Sequence, residues 1–187
     1  YAAAKKHKIK PIIGCEVYVA KEDRFKKTGG GDQSNHLILL AENLTGYQNL
    51  AKLVSFGFLE GFYYKPRIDK SLLSEFHEGL IASSACLKGA VAPKLHLGQY
   101  EAARDEANAL RDIFGPENFY LELMDHNLEP QKLVNPGIIE ISKQTGIPLI
   151  CTNDTHYLLA SDSVAHDILL CIGTGKTVNQ PDRMRYE

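Results

Sequence analysis

Short β-branched apolar runs alternate along this chain with longer stretches whose apolar residues recur at helical spacing, and the order of the two patterns predicts the architecture. Residues 1–8 read as the end of a helix and residues 10–19 (KPIIGCEVYV) as a buried strand that turns polar at its end. Residues 26–35, with the triplet Gly29-Gly30-Gly31, read as a flexible loop. A second strand is expected over residues 36–42 (HLILLAE). A helix is expected over 45–58, capped by Thr45, with Leu50, Leu53, Val54 and Phe58 on one face. Residues 63–69 (YYKPRID) read as a turn.

The alternation continues to the end. Strands are expected over 79–86, 119–124 and 147–152, and helices over 99–114, 129–145 and 162–172, with Pro136 predicting a kink or late start in the second of these helices. Strands separated by helices imply βα units and a parallel sheet or barrel. In such a sheet functional groups gather where strands end, on the carboxyl side. That rule selects Glu16, Cys86, Asp125 with His126, and Asp154 with His156. His36 stands at the start of its apolar run and fits only with a shifted boundary or a close approach from the preceding loop.

Composition narrows the classes. The chain has 187 residues, enough for one sizeable core, and its 21 basic against 23 acidic residues give a net charge of −2, with no global pull toward nucleic acid or anionic membrane. No apolar stretch approaches the ~20 residues that span a bilayer, so the chain reads as soluble and cytoplasmic, with no membrane partner. Cys15, Cys86, Cys151 and Cys171 form no CxxC pair and read as reduced thiols. Cys15, Cys151 and Cys171 lie in apolar runs and are assigned to the core. The basic clusters at residues 5–10 and 24–27 read as solvated faces, and the two termini as cuts in a longer polypeptide.

The sharpest chemical signal is Thr152-Asn153-Asp154-Thr155-His156 directly after an apolar strand. In extended chain a carboxylate and an imidazole two residues apart point the same way and can ligate one metal or two adjacent ones; an Asp capping the following helix beside a surface His is the plainer alternative. Glu16 ends a run without other charges, where it is either paired with a cation or emerging into solvent. A lone His such as His36 is commonly a hydrogen-bonded edge residue. Cys86 fits a packing thiol or a soft zinc ligand equally. Asx-turn chemistry accounts for Asp125-His126-Asn127 without a metal. Gly173-Thr174-Gly175-Lys176-Thr177 lacks the first glycine of a phosphate-binding loop, since Leu170 stands there, and it follows a helix.

The strings IKPIIGCEVYVA (9–20), HLILLAENLTGYQNLAKLVS (36–55), GFYYKPRID (61–69), TNDTHYL (152–158) and AHDILLCIGTGKTVNQPDR (165–183) closely resemble the PHP domain of bacterial C-family replicative polymerases, the polymerase III alpha subunits. The match runs through essentially the whole chain in the family's order. It implies a distorted (βα)7 barrel of the α/β class, occupying residues 1–172, with residues 173–187 beginning the connection toward a polymerase palm. It also implies a cleft for up to three divalent metals, Zn with Mn, Fe or Mg as substitutes.

Carried over position by position, the family's Glu ligand falls on Glu16, the next His on His36, the His-or-Cys on Cys86 and the final DxH on Asp154 and His156. The family's initial HxH, the acid or His after it and a further His find no match, so the resemblance implies an incomplete barrel and an incomplete metal cluster. The implied chemistry of the intact domain is metal-assisted phosphodiester hydrolysis, a 3′–5′ exonuclease or phosphoesterase activity serving proofreading. The parent would be a DNA-directed DNA polymerase, with primer–template DNA and other replisome subunits as partners. An inert PHP module that stabilises the polymerase, and a stand-alone PHP phosphoesterase, are the alternatives.

Overall fold

The computed structural model describes residues 1–29 and 34–185. Gly30 and Gly31 of the expected flexible loop lie outside them. The chain forms two compact units, Tyr1–Thr152 and Asn153–Glu187.

In the first unit, α1 (Ala2–Lys6) precedes β1 (Ile13–Ala20), β2 (Ser34–Ala41), α2 (Leu44–Leu59), β3 (Arg67–Ile68), α3 (Lys70–Phe76) and β4 (Leu80–Ser83). There follow α4 (Ala92–His96), α5 (Tyr100–Phe114), β5 (Phe119–Leu123), α6 (Glu129–Thr145) and β6 (Leu149–Cys151). The second unit carries a 3-10 turn, Ala160–Asp162, and α7, Ser163–Thr174. Among the described residues the six strands form one sheet ordered β3-β1-β2-β4-β5-β6, which does not close on itself. This is the α/β class expected, an open piece of a (βα) barrel.

The sheet is mixed, not wholly parallel. β2 is antiparallel to both β1 and β4, whereas β1–β3, β4–β5 and β5–β6 are parallel. The reason lies in the β1–β2 connection, whose described residues contain no helix, and without a helical crossover successive neighbouring strands run in opposite directions. β2 also begins at Ser34, inside the segment expected to be loop.

Alternation along the strands sends one set of side chains under the helices. Val17, Val19, Leu37, Leu39, Leu80, Ala82, Phe119 and Leu121 are buried there. They meet Leu50 and Leu53 of α2, Leu72 and Leu73 of α3, Ala103, Ala107 and Leu110 of α5, and Ile138 and Ile141 of α6 in one core. Each fully buried leucine contributes about 1.5–3 kcal/mol by leaving water. The other face carries Glu16, Tyr18, His36, Ile38, Ser83, Tyr120 and Glu122, by register.

Local chemistry corrects several expectations. The cap of α2 is Asn43, whose side chain accepts from the Gly46 N–H at 3.0 Å, and not Thr45. Phe58 is exposed, because the buried stripe of α2 runs through Gly46, Asn49, Leu50, Leu53 and Gly57. The turn at 63–69 contains β3 and ends in a cap: the Asp69 carboxylate accepts from the Leu72 N–H at 3.0 Å and starts α3, a helix the pattern did not reveal. α6 runs through Pro136 without a late start. The carbonyl that Pro136 leaves without a donor belongs to exposed Lys132, where water can replace it. No helix among the described residues is long and apolar enough to cross a membrane.

Candidate metal centre

Glu16 and His36 come together because β2 is antiparallel. The register pairs Tyr18 with His36 and Glu16 with Ile38, so Glu16 and His36 are diagonal neighbours on the open face of the sheet. His36 Nδ1 lies 3.1 Å from Glu16 Oε1, and its ring meets Tyr18 edge-on at 5.2 Å. The strand boundary lies two residues earlier than expected, at Ser34, and because β2 is antiparallel its start lies beside the second half of β1, which places His36 opposite Tyr18.

Cys86 arrives from the turn after β4. Its Sγ is 3.7 Å from the same His36 Nδ1. The turn is closed by the Gly89 N–H donating to Cys86 O at 2.8 Å and held against β2 by the His36 N–H donating to Lys88 O at 2.9 Å. Gly89 is required there, since a Cβ would sit 2.0 Å from Ser84 O. A carboxylate, an imidazole and a thiol thus meet at one nitrogen: protonated, it donates to Glu16; bare, it is a ligand atom. The donor set is one that zinc accepts. Still, among the described residues no group of three or more His, Cys, Asp and Glu side chains is placed so as to hold a metal ion.

Asp154 and His156 belong to the second unit. The extended conformation expected between them is interrupted, because Asp154 adopts φ +45°, and His156 Nδ1 approaches the backbone oxygen of Asp154 at 2.6 Å. The His156 ring lies 5.6 Å from the His166 ring, and Tyr157 lies 5.2 Å from it. His166, on α7, was not singled out by sequence; an imidazole ten positions beyond a DxH carries no spacing signal of its own.

Glu122 was also missed. It is 5% exposed, and its carboxylate accepts the Ser83 hydroxyl at Oε2 and the Thr152 hydroxyl at Oε1, both at 2.7 Å. Its N–H donates to Ser84 Oγ at 2.9 Å. A single acidic residue inside FYLELM was the available signal. Glu122 ties β4 to Thr152, two residues before Asp154 in the chain.

The remaining candidates resolve as follows. His126 is engaged by Gln131, whose Oε1 accepts from the His126 N–H at 2.7 Å and whose amide nitrogen lies 2.9 Å from Nδ1. Asn127 N–H donates to Asp125 Oδ1 at 3.0 Å, the expected Asx turn. Cys15 packs against the core, and burial, with Glu16 adding to it, pushes its thiol pKa up. Cys171 is buried, but Cys151, expected in the core, is exposed because all three residues of edge strand β6 are. Gly173 and Thr174 close α7 itself and Gly175 caps it in a left-handed conformation, so the segment ends a helix instead of forming the strand-to-helix turn of a phosphate-binding loop.

The PHP domain family matches residues 1–126 of the chain. The chain is 48% identical over 181 residues to the DNA polymerase III subunit alpha of Treponema pallidum, covering 96% of the chain and 16% of that protein. It is 45% identical over 189 residues to the same-named subunit of Borreliella burgdorferi and 41% over 208 residues to that of Saccharopolyspora erythraea. Each match covers 100% of the chain and 16% and 17%, respectively, of the relative. The chain therefore spans about one sixth of the length of these relatives.

Proposed function

The chain belongs to the PHP domain family, and from that membership we propose that it serves as the PHP domain of a bacterial replicative DNA polymerase alpha subunit, holding divalent metal for phosphodiester hydrolysis at a DNA 3′ end. The observation that carries the reading is the convergence of Glu16 and Cys86 on His36 Nδ1 from three separate segments, at 3.1 and 3.7 Å. Glu16, His36 and Cys86 are the ligands proposed from the first unit, Asp154 and His156 those from the second. When bound, such ions, Zn foremost with Mn, Fe or Mg as substitutes and up to three in number, supply Lewis acidity toward phosphoryl oxygens and acidify water toward neutral pH.

The chain's own groups prepare that chemistry. Glu16 accepts a proton held at His36 Nδ1 and fixes the ring, while Tyr18 packs edge-on and restrains its rotation. The closed turn 86–89 presents the Cys86 sulfur to the same point. Primer–template DNA and the other replisome subunits are the proposed partners, in the bacterial cytoplasm, with residues 173–187 leading toward the rest of the polymerase. The shared length with much longer polymerase relatives weighs against a stand-alone phosphoesterase.

A second reading has its own observation. Glu16, His36 and Cys86 satisfy one another directly, and among the described residues no group of three or more such side chains is placed so as to hold a metal ion, as in a PHP module that stabilises the polymerase without catalysis. Elemental analysis of the protein and of His36→Ala and Asp154→Asn, followed by a nuclease assay on primer–template DNA, separates the two. Stoichiometric metal and 3′ cleavage, both lost in the variants, support hydrolysis; metal-free protein without cleavage supports the inert module.

A further inference from the structure

A cavity of about 570 Å³ opens in the first unit beside the second half of β1 and the start of β2, lined by Val19, His36 and Leu37 of the strands and Leu110 of α5. Four lysines from four segments line it: Lys21 after β1, Lys70 at the start of α3, Lys88 in the turn after β4 and Lys94 on α4. One acid, Glu106 of α5, stands among them. Lys70 Nζ lies 2.6 Å from its Oε1 and Lys94 Nζ 3.3 Å from its Oε2, so two ammonium groups are drawn inward onto one carboxylate. Lys21 and Lys88 make no ion pair among the described residues.

The surrounding acids do not cancel this surplus. Glu22 pairs with Lys26 at 2.7 Å, Asp69 with Arg24 at 2.9 Å, and Asp23 accepts the Phe25 N–H. In a chain of net charge −2 the positive field is therefore local and confined to a concave surface, which focuses it. The volume is within the ~300–1,000 Å³ of sites that hold nucleotide-sized ligands. Asn35, opposite Val19 in the register, adds a neutral polar side chain. Lysines offer compact point charges suited to phosphate oxygens.

We infer that this lysine-lined cavity binds phosphate groups, either of a free nucleotide or of a polynucleotide backbone, independently of any metal. The His36 N–H bonded to Lys88 O joins the cavity to the strand that carries the candidate metal ligands, while the imidazole meets Glu16. The inference does not rest on metal binding, and its test is run in chelator.

The probes are a fluorescein-labelled oligothymidylate of ~12 nucleotides, within the known range of strand-site sizes, followed by anisotropy, and thymidine monophosphate followed by calorimetry, both in EDTA across a salt series. The wild-type protein binds at least one probe. Lys21→Ala combined with Lys88→Ala, both exposed positions, weakens that binding by about tenfold or more. For the strand it lowers the slope of log affinity against log salt by ~1.4, at ~0.7 per lost contact. Glu106→Gln tightens binding, because it removes the one opposing charge. Competition by the mononucleotide assigns the cavity to nucleotide-sized ligands; strand binding that it leaves untouched assigns it to a backbone. Failure of the wild-type protein to bind either probe, or equal affinities and slopes in the double variant, overturns the inference. Metal content is measured separately, so neither result depends on the other.

Discussion

Glu16 and His36 face each other across the β1–β2 pair with 3.1 Å between carboxylate and imidazole, a contact made by the antiparallel register and not by any nearness in sequence. Water can replace the imidazole as partner of half-exposed Glu16, but His36 is largely buried against Tyr18, so His36→Ala lowers the melting temperature of metal-free protein and the effect of zinc is read against each variant's own metal-free melt. Zinc at about a hundred times its dissociation constant stabilises a protein that binds it by ~2.7 kcal/mol. Thermal melts with and without zinc therefore show a rise for wild type that His36→Ala and Glu16→Gln lose; an equal rise in all three would remove these residues from the ligand set.

The Glu122 carboxylate gives a second test. Glu122→Ala removes the acceptor of the part-buried Ser83 and Thr152 hydroxyls, each of which the native carboxylate satisfies at 2.7 Å. Leaving a buried donor without a partner costs about 1–3 kcal/mol. The hydroxyls being only half-buried, urea unfolding should show a loss of up to that size at constant slope, with Glu122→Gln losing less, since the amide retains an acceptor for one hydroxyl.

Much of the architecture was legible because long periodic segments declare themselves. α5 and α6 fall within one residue of expectation, since Ala103, Ala107, Leu110 and Phe114 repeat at helical spacing and Gly146 stops α6 in a left-handed conformation. Short elements were not legible: α3 depends on Asp69, which reads as a turn residue until its carboxylate is seen to cap Leu72. Among site residues, Cys86 does follow a strand end, but Glu16, expected at one, lies inside β1 (Ile13–Ala20), and the reversal of β2 that brings His36 to it is a matter of topology, absent from local pattern. Arg24, expected on a solvated face, turns inward to Glu60 and Asp69 at 2.7 and 2.9 Å, a pairing across 36 and 45 positions that no local window contains.

That Arg24 pairing predicts an acid-sensitive step. Burial pushes the Asp69 carboxyl pKa upward, but the Leu72 N–H, the Arg24 side chain and the Arg24 N–H together outweigh it and hold the pKa below the ordinary 3.8. A carboxyl depressed in the folded state stabilises the fold above its unfolded value, and that stabilisation fades as pH falls through the folded value. Wild-type stability should therefore drop on acidification below about pH 3.8 more steeply than that of Asp69→Asn. At neutral pH Asp69→Asn is the less stable of the two, as urea midpoints across pH 2–7 will show; parallel curves would rule out Asp69 as a contributor.

A close backbone approach in the first unit makes the last prediction. Gly46 lies in the first turn of α2 with the turn at Gly79 against it, so close that a Cβ on Gly46 would stand 1.8 Å from Gly79 O. Gly79 itself sits at φ +72°, and the Asn43 cap reaches Gly46 N–H at 3.0 Å in the same place. The neighbour is backbone, not a flexible side chain, so a methyl group can be admitted only by moving α2 or the start of β4. Overpacking of this kind costs about 1–3 kcal/mol, well above the gain of up to about 1 kcal/mol that alanine brings over glycine inside a helix. Gly46→Ala should lower the urea midpoint, whereas Gly173→Ala, a glycine inside α7 with nothing within 4 Å of its would-be Cβ, should raise it or leave it unchanged. The opposite order would mean that the α2–Gly79 approach is looser than described.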